Sequence, residues 1–188
     1  RRMDIRWGHT SQIKAEMSLF EAALDNGPYL YYHLLSGVDL PIKPMEQILS
    51  FFEKNQGKEF VGFVPDGTWE ETKVTKFHFF IKYYRMGGQM GKQVARLRYH
   101  TEKFVNRYIK RSEYQFKKGN NWVSITDGFC RFLIGKKRWI LRRFRYTFCA
   151  DEIFLQTVLW NSPFKEQIYS LGDEFVASQR EIVWEQGG

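Results

Sequence analysis

The stretch "YLYYHLLSGVDLPIKPMEQIL", residues 29–49, decides the reading of the fold. Its first seven residues are an apolar, aromatic run of strand length, closed by Ser36-Gly37. A run without polar alternation suits a strand buried on both faces, as in an α/β sheet. Ser36 and Gly37 can bring backbone close to a ligand, Asp39 can point a carboxylate at it, and Pro41 stiffens the exit. Ligands of open α/β sheets bind at the carboxyl ends of strands, so Ser36, Gly37 and Asp39 are candidate binding residues. The same residues are also ordinary turn formers. Pro44 stands where a first helical turn tolerates it, and Met45, Ile48, Leu49 and Phe52 continue a helix.

Upstream, residues 10–25 read as a helix with Thr10 or Ser11 as its cap. Ile13, Met17, Phe20 and Leu24 share one face, and Asn26-Gly27 ends it. Downstream, "KEFVGFV" (58–64) is a second strand and "PDG" a turn. Helix, strand, helix, strand argues for a three-layer α/β arrangement. Residues 65–88 are irregular, and "MGGQMG" (86–91) lacks the Lys-Ser/Thr of a Walker loop, which leaves it a connection. Residues 89–111 form a basic amphipathic helix, and "NWVSIT" (121–126) a third strand. Trp122 and Ser124 alternate on one face of that strand, where a tryptophan is either core or a platform for the apolar face of a sugar. Residues 127–134, 137–143 and 151–160 are helical by pattern.

The 188 residues suit a single domain, 1–188, able to bury a core without disulfides. Cys130 and Cys149 form no CxxC pair and read as free thiols in a reducing compartment. No run of 18 apolar residues and no signal peptide is visible. The net charge of +8 is unevenly spread. Residues 73–145 hold 20 Lys and Arg against 3 acids, an insert-like basic segment, while the rest of the chain is acidic on balance. Such a segment is a solvated face, or it meets a polyanion, a membrane surface or phosphate-bearing ligands. Its tyrosines could also stack on nucleic-acid bases.

Metal ligation finds little support. His9, His33, His78 and His100 have no His or Cys at ligand spacing, and Asp39 has no second acid within two positions. Phosphate charge would then be balanced by Lys and Arg. In "CADEIFLQTVLWNSPF" (149–164), Ile153, Phe154, Val158 and Leu159 bury a helix face, so Asp151 and Glu152 occupy its first turn. Acids there complement the helix dipole, with Asp151 as the cap, and a carboxylate so aimed can also take a proton from an alcohol.

Taken in order, "WGHTSQIKAEM", "YYHLLSGVDLPIK", "KEFVGF", "NWVSIT", "CADEIFLQTVLWNSPF" and "REIVW" resemble the core-2/I-branching β-1,6-N-acetylglucosaminyltransferase family, which includes peptide O-xylosyltransferases. The match spans almost the whole chain and is weakest over 65–115. The resemblance implies a GT-A-like, Rossmann-type three-layer sheet with helices on both faces. It places the family's first strand-helix-strand unit ahead of this chain, and its phosphate-balancing Arg and Lys beyond "REIVW". It implies an inverting, metal-independent glycosyltransferase with a UDP-sugar as donor substrate and no cofactor. Glu152 matches the general base and Trp7 falls near the donor-binding region, while Asp39 and its Ser36-Gly37 turn, expected to bind the donor, lie where other GT-A enzymes carry their metal-binding acids. The expected acceptor is a glycan or lipid-linked glycan, and an anionic membrane surface is a further partner. A bacterial-type member is expected, cytoplasmic and peripheral on the inner membrane face; a eukaryotic member would act in the Golgi lumen. The alternative is a non-catalytic basic module binding nucleic acid or anionic membrane through 73–145, which gives no reason for a base at Glu152.

Overall fold

The computed structural model describes residues 2–111 and 114–181. Helices dominate, around a small sheet: α1 (Ser11–Asp25), β1 (Tyr31–His33), α2 (Met45–Lys54), α3 (Thr72–Thr75), α4 (Gly88–Tyr108), β2 (Ser124–Thr126), α5 (Asp127–Gly135), α6 (Lys137–Arg143), α7 (Phe154–Trp160) and α8 (Glu174–Ser178). Short 3₁₀ turns lie at Ile81–Tyr83, Ala150–Glu152 and Pro163–Gln167.

The mixed helix-and-sheet composition agrees with an α/β chain, but the sheet is much smaller than a three-layer reading requires. β1 and β2 pair antiparallel, with Tyr31 opposite Thr126 and His33 opposite Ser124. Phe60 bridges Ser124 on the other side of β2, and Glu59 bridges Ile168 in parallel. The order across the sheet is therefore β1, β2, 59–60, 168.

The run at 29–35 is not a strand buried on both faces. Tyr31 and Tyr32 are buried, but Tyr29, Leu30, His33 and Leu35 are exposed. The second expected strand shrinks to Glu59 and Phe60 because the chain leaves the ladder there. Buried Glu59 turns its carboxylate onto Thr126, accepting from its N–H at 2.9 Å and its hydroxyl at 2.5 Å. Beyond it, Gly62 lies against the backbone of Gly119 and Glu174, where no Cβ would fit. Val64 N–H then bonds Lys118 O at 2.7 Å.

The core forms where helix stripes meet. Ile13, Met17 and Phe20 of α1 pack with Phe129 and Leu133 of α5, with Ile140 and Phe144, and with Ile153, Phe154 and Leu159. A fully buried side chain of this size contributes roughly 1.5–3 kcal/mol. α1 has no side-chain cap. The Thr10 hydroxyl instead donates to Arg145 O at 3.5 Å, and Ser11 Oγ accepts from Arg6 N–H at 2.9 Å. α2 follows the expected pattern but lies on the surface. Phe52 packs on Tyr31 and Phe60, while Met45 and Leu49 stay exposed.

α4 is tied down along one edge. Asn106 exchanges two hydrogen bonds with the Phe77 backbone, and Glu102 accepts from Phe79 N–H at 3.0 Å. Glu102 is the one acid in the helix. Among the described residues, no helix is long and apolar enough to cross a membrane.

Candidate functional site

Two polar groups, joined by the segment 118–124, form the candidate site. The first surrounds Glu152. Asp151 and Glu152 do not open α7, as expected from pattern. They lie in a separate 3₁₀ turn whose preceding residue, Cys149, has φ 48°, and α7 begins only at Phe154 without a side-chain cap. Asp151 is thus not a helix cap.

The turn is held against the chain's beginning. Gly8 has φ +68°, and a Cβ there would meet the Phe148 ring at 2.9 Å, so glycine permits both the conformation and the approach. Gly8 O accepts from Cys149 N–H at 3.0 Å. Gln12 completes the tie: its Oε1 accepts from Gly8 N–H at 2.6 Å and its Nε2 donates to Asp151 Oδ2 at 2.9 Å. Trp7 consequently stands edge-on to Phe148, with ring centroids 5.3 Å apart. Tyr84 lies beside it, and the Arg85 guanidinium sits 4.1 Å over its ring.

Asp151 and Glu152 face different environments. Asp151 is buried, and its Oδ1 has no hydrogen-bond partner among the described residues. Burial pushes its carboxyl up to about 6, and the charge of Glu152 adds to the rise. Glu16, also buried, is raised well above the usual carboxylate range by desolvation and by Asp151. The Glu152 side chain is 37% exposed and lies 3.2 Å from Lys118 Nζ. Its backbone carbonyl accepts from Gly119 N–H at 3.0 Å. Glu152 is the acid of the pair that can touch a bound molecule.

The second group lies beyond β1. Both Asp39 oxygens accept from Ser36, one from its N–H and one from its hydroxyl, each at 2.7 Å. Those bonds hold the Asp39 carboxyl below its usual range. The carboxylate thus closes its own turn rather than pointing outward, and Gly37 stands in open space. Ser124 is fully buried, with its hydroxyl engaged by His33 Nδ1 at 2.7 Å and Arg180 Nη2 at 3.3 Å. It fastens the site and offers no exposed platform. Trp122 is half-buried, two residues ahead of β2.

Arg180 ties this group together, a role that sequence reading missed. Nη2 also donates to Leu34 O and Val123 O, and Nη1 to Ser178 O and Gln179 O. Its Nε is buried and has no hydrogen-bond partner among the described residues, and burial lowers its pKa. Arg180 stood in the "REIVW" piece without a role assigned to it; residues 182–184 of that piece lie outside the described residues.

The segment 118–124 joins the two groups. Lys118 stands beside Glu152 at one end, and Ser124 against Arg180 at the other, with Trp122 between. Six residue steps span at most about 21 Å. The structure therefore brings Trp7, Asp151 and Glu152 together, and separately Ser36, Asp39 and Ser124; among the described residues, no hydrogen bond or ion pair joins the two groups directly. Among the described residues, no group of three or more His, Cys, Asp or Glu side chains is placed to hold a metal ion.

No individual curated protein matches the chain significantly. The description "Core-2/I-Branching enzyme" matches residues 1–181, nearly the whole chain. This favours the enzyme over a non-catalytic basic module, and the chain belongs to the Core-2/I-Branching enzyme family, a family of glycosyltransferases.

Proposed function

We propose that the protein transfers N-acetylglucosamine, or less favourably xylose, from a UDP-sugar to a sugar hydroxyl of a glycan or lipid-linked glycan, with inversion and without a metal ion. The observation that carries this is the setting of Glu152. Its carboxylate is accessible, its backbone is anchored on Gly119, and its neighbours are Lys118 and the turn that holds Trp7. In one in-line displacement, Glu152 takes the acceptor proton as that oxygen attacks the anomeric carbon. The bond from that carbon to the UDP oxygen breaks, and its electron pair leaves with the diphosphate. The metal-free reading draws support from Asp39, whose two oxygens Ser36 already occupies. A screen of UDP-sugars for nucleotide release by wild type and Glu152→Gln tests the assignment.

A second reading concerns location. α4 exposes Met90, Leu97, Phe104 and Tyr108, each more than half exposed, at spacings of seven, seven and four. These spacings place them on one stripe. Lys92, Arg96, Lys103 and Arg107 run beside it, all exposed. Its one acid, Glu102, faces the protein. Such a helix suits the surface of an anionic membrane, where each basic residue contributes on the order of 1 kcal/mol.

A further inference from the structure

A cavity of about 600 Å³, whose lining includes neither Glu152 nor Lys118, opens between the start of α1, the 78–82 segment and the end of α6. Four cations converge on it from three elements: Lys14, Lys82, Arg142 and Arg145. Two imidazoles, His9 and His78, join its lining. Acids meet this group at two points. Asp4 lies 3.1 Å from Lys82 Nζ, and Glu102 lies 3.9 Å from His78 Nδ1. Among the described residues, no carboxylate forms an ion pair with Lys14, Arg142 or Arg145.

The excess positive charge is felt inside the cavity. The His9 pKa is lowered by burial first, and then by Lys14 and Lys82. Like charges crowded around a concave surface repel one another, and a bound anion relieves that repulsion. Two arginines favour an oxyanion whose oxygens can accept paired N–H donors, the geometry of a phosphate. The walls add a second element of recognition. Phe80, Phe79 and Tyr146 give the cavity aromatic surface on which the apolar face of a sugar can lie. Phe80 reaches its place through a left-handed backbone, φ 53°.

We propose that this cavity is a second anion site, distinct from the Glu152 site, that binds a phosphate group carried on a sugar. It stands whether or not the donor of the transfer reaction is a UDP-sugar.

The probe is glucose 1-phosphate, titrated calorimetrically into the full chain, with glucose as the uncharged control. Wild type is expected to bind the phosphate and not glucose. Arg142→Gln/Arg145→Gln should weaken binding by about tenfold or more, as loss of two charge-assisted contacts implies. Arg96→Gln/Arg107→Gln, which removes equal charge from the outer face of α4, should leave it within about twofold. Lys118→Gln should also leave it unchanged. If the Arg142/Arg145 variant does not fold, Lys14→Gln on exposed α1 surface replaces it, with a loss of about threefold expected for one contact. Absence of wild-type binding at millimolar ligand would overturn the proposal. So would equal losses in the two arginine pairs, which would mean general charge attraction, or a loss confined to Lys118→Gln, which would put the phosphate beside Glu152.

Discussion

Gln12 Nε2 donates to Asp151 Oδ2 at 2.9 Å, across 139 residues of chain. The same side chain accepts from Gly8 N–H. One amide thereby fixes the Trp7–Gly8 turn and the 3₁₀ turn that carries Glu152. Gln12→Ala removes both bonds and leaves a buried carboxylate with less compensation. The expected cost is about 1–3 kcal/mol of stability, read as a lower melting temperature. Turnover should fall more than donor affinity does, because the base loses its fixed position. A variant with wild-type melting and turnover would show that the tie holds nothing.

Glu59 makes stability depend on pH. It is fully buried, and burial pushes its pKa up to about 7, from an ordinary 4.5, despite the opposing bonds from Thr126. A raised folded-state pKa favours the protonated form. Its stabilising effect is complete below about 4.5 and is lost as pH rises through about 7. The shift corresponds to on the order of 3 kcal/mol. Glu59→Gln cannot ionise, so the wild-type advantage over it should shrink steadily from pH 5 to pH 8 and can reverse at the upper end. Thermal melts of both proteins across that range provide the check, and parallel curves would remove Glu59 as the cause. Asp151 titrates in the same direction, near 6, so the comparison with the variant is what isolates Glu59.

These two acids show where the sequence was legible. α1, α5 and α6 fall within a residue or two of where apolar periodicity places them, since each buries one continuous stripe. The strands were over-read. Aromatic runs at 29–35 and 58–64 have strand composition, yet pairing stops after two or three residues. Glu59, Gly62 and the 36–39 turn redirect the chain through contacts distant in sequence. Glu152 was legible because the family motif carries it. Gln12, Lys118 and Arg180 were not. Each is an ordinary polar residue locally, and its partner lies 34 to 139 positions away or is a backbone carbonyl. The spacing of Gln12 four residues after Gly8, at a helix start, was the one local hint of its contact.

The outward stripe of α4 gives the location hypothesis its test. Wild type should bind vesicles containing 30 mol% anionic lipid, a composition on the order of charged biological leaflets, better than neutral vesicles at low salt. Leu97→Glu/Phe104→Glu removes two apolar contacts from the stripe and adds two negative charges. It should reduce binding by about tenfold or more, while the buried edge of α4 keeps the fold intact. Equal sedimentation of wild type with charged and neutral vesicles would end the hypothesis.

The decisive prediction concerns Glu152. Asp151 lies too deep to meet an acceptor, whereas the Glu152 carboxylate is partly exposed and held on two sides, through Gly119 at its backbone and Lys118 at its side chain. General base catalysis contributes roughly 10²–10⁴-fold in rate. Glu152→Gln keeps the volume and can still face Lys118 with its carbonyl oxygen, but it cannot take the proton. Turnover should fall by about 10²–10⁴-fold with donor affinity and melting temperature near wild type, the pattern of a group that acts in the transition state. Asp151→Asn should act differently. It retains an acceptor for Gln12 and relieves repulsion with Glu152 and Glu16. Its melting temperature at pH 8 should therefore equal or exceed that of wild type, with turnover within about tenfold. A chelator in the same assay should leave wild-type transfer unchanged, and a strict need for added Mg²⁺ or Mn²⁺ would refute the metal-free mechanism. Near-wild-type turnover by Glu152→Gln would move the base elsewhere, and a collapse in Asp151→Asn with normal stability would point to the buried neighbour instead.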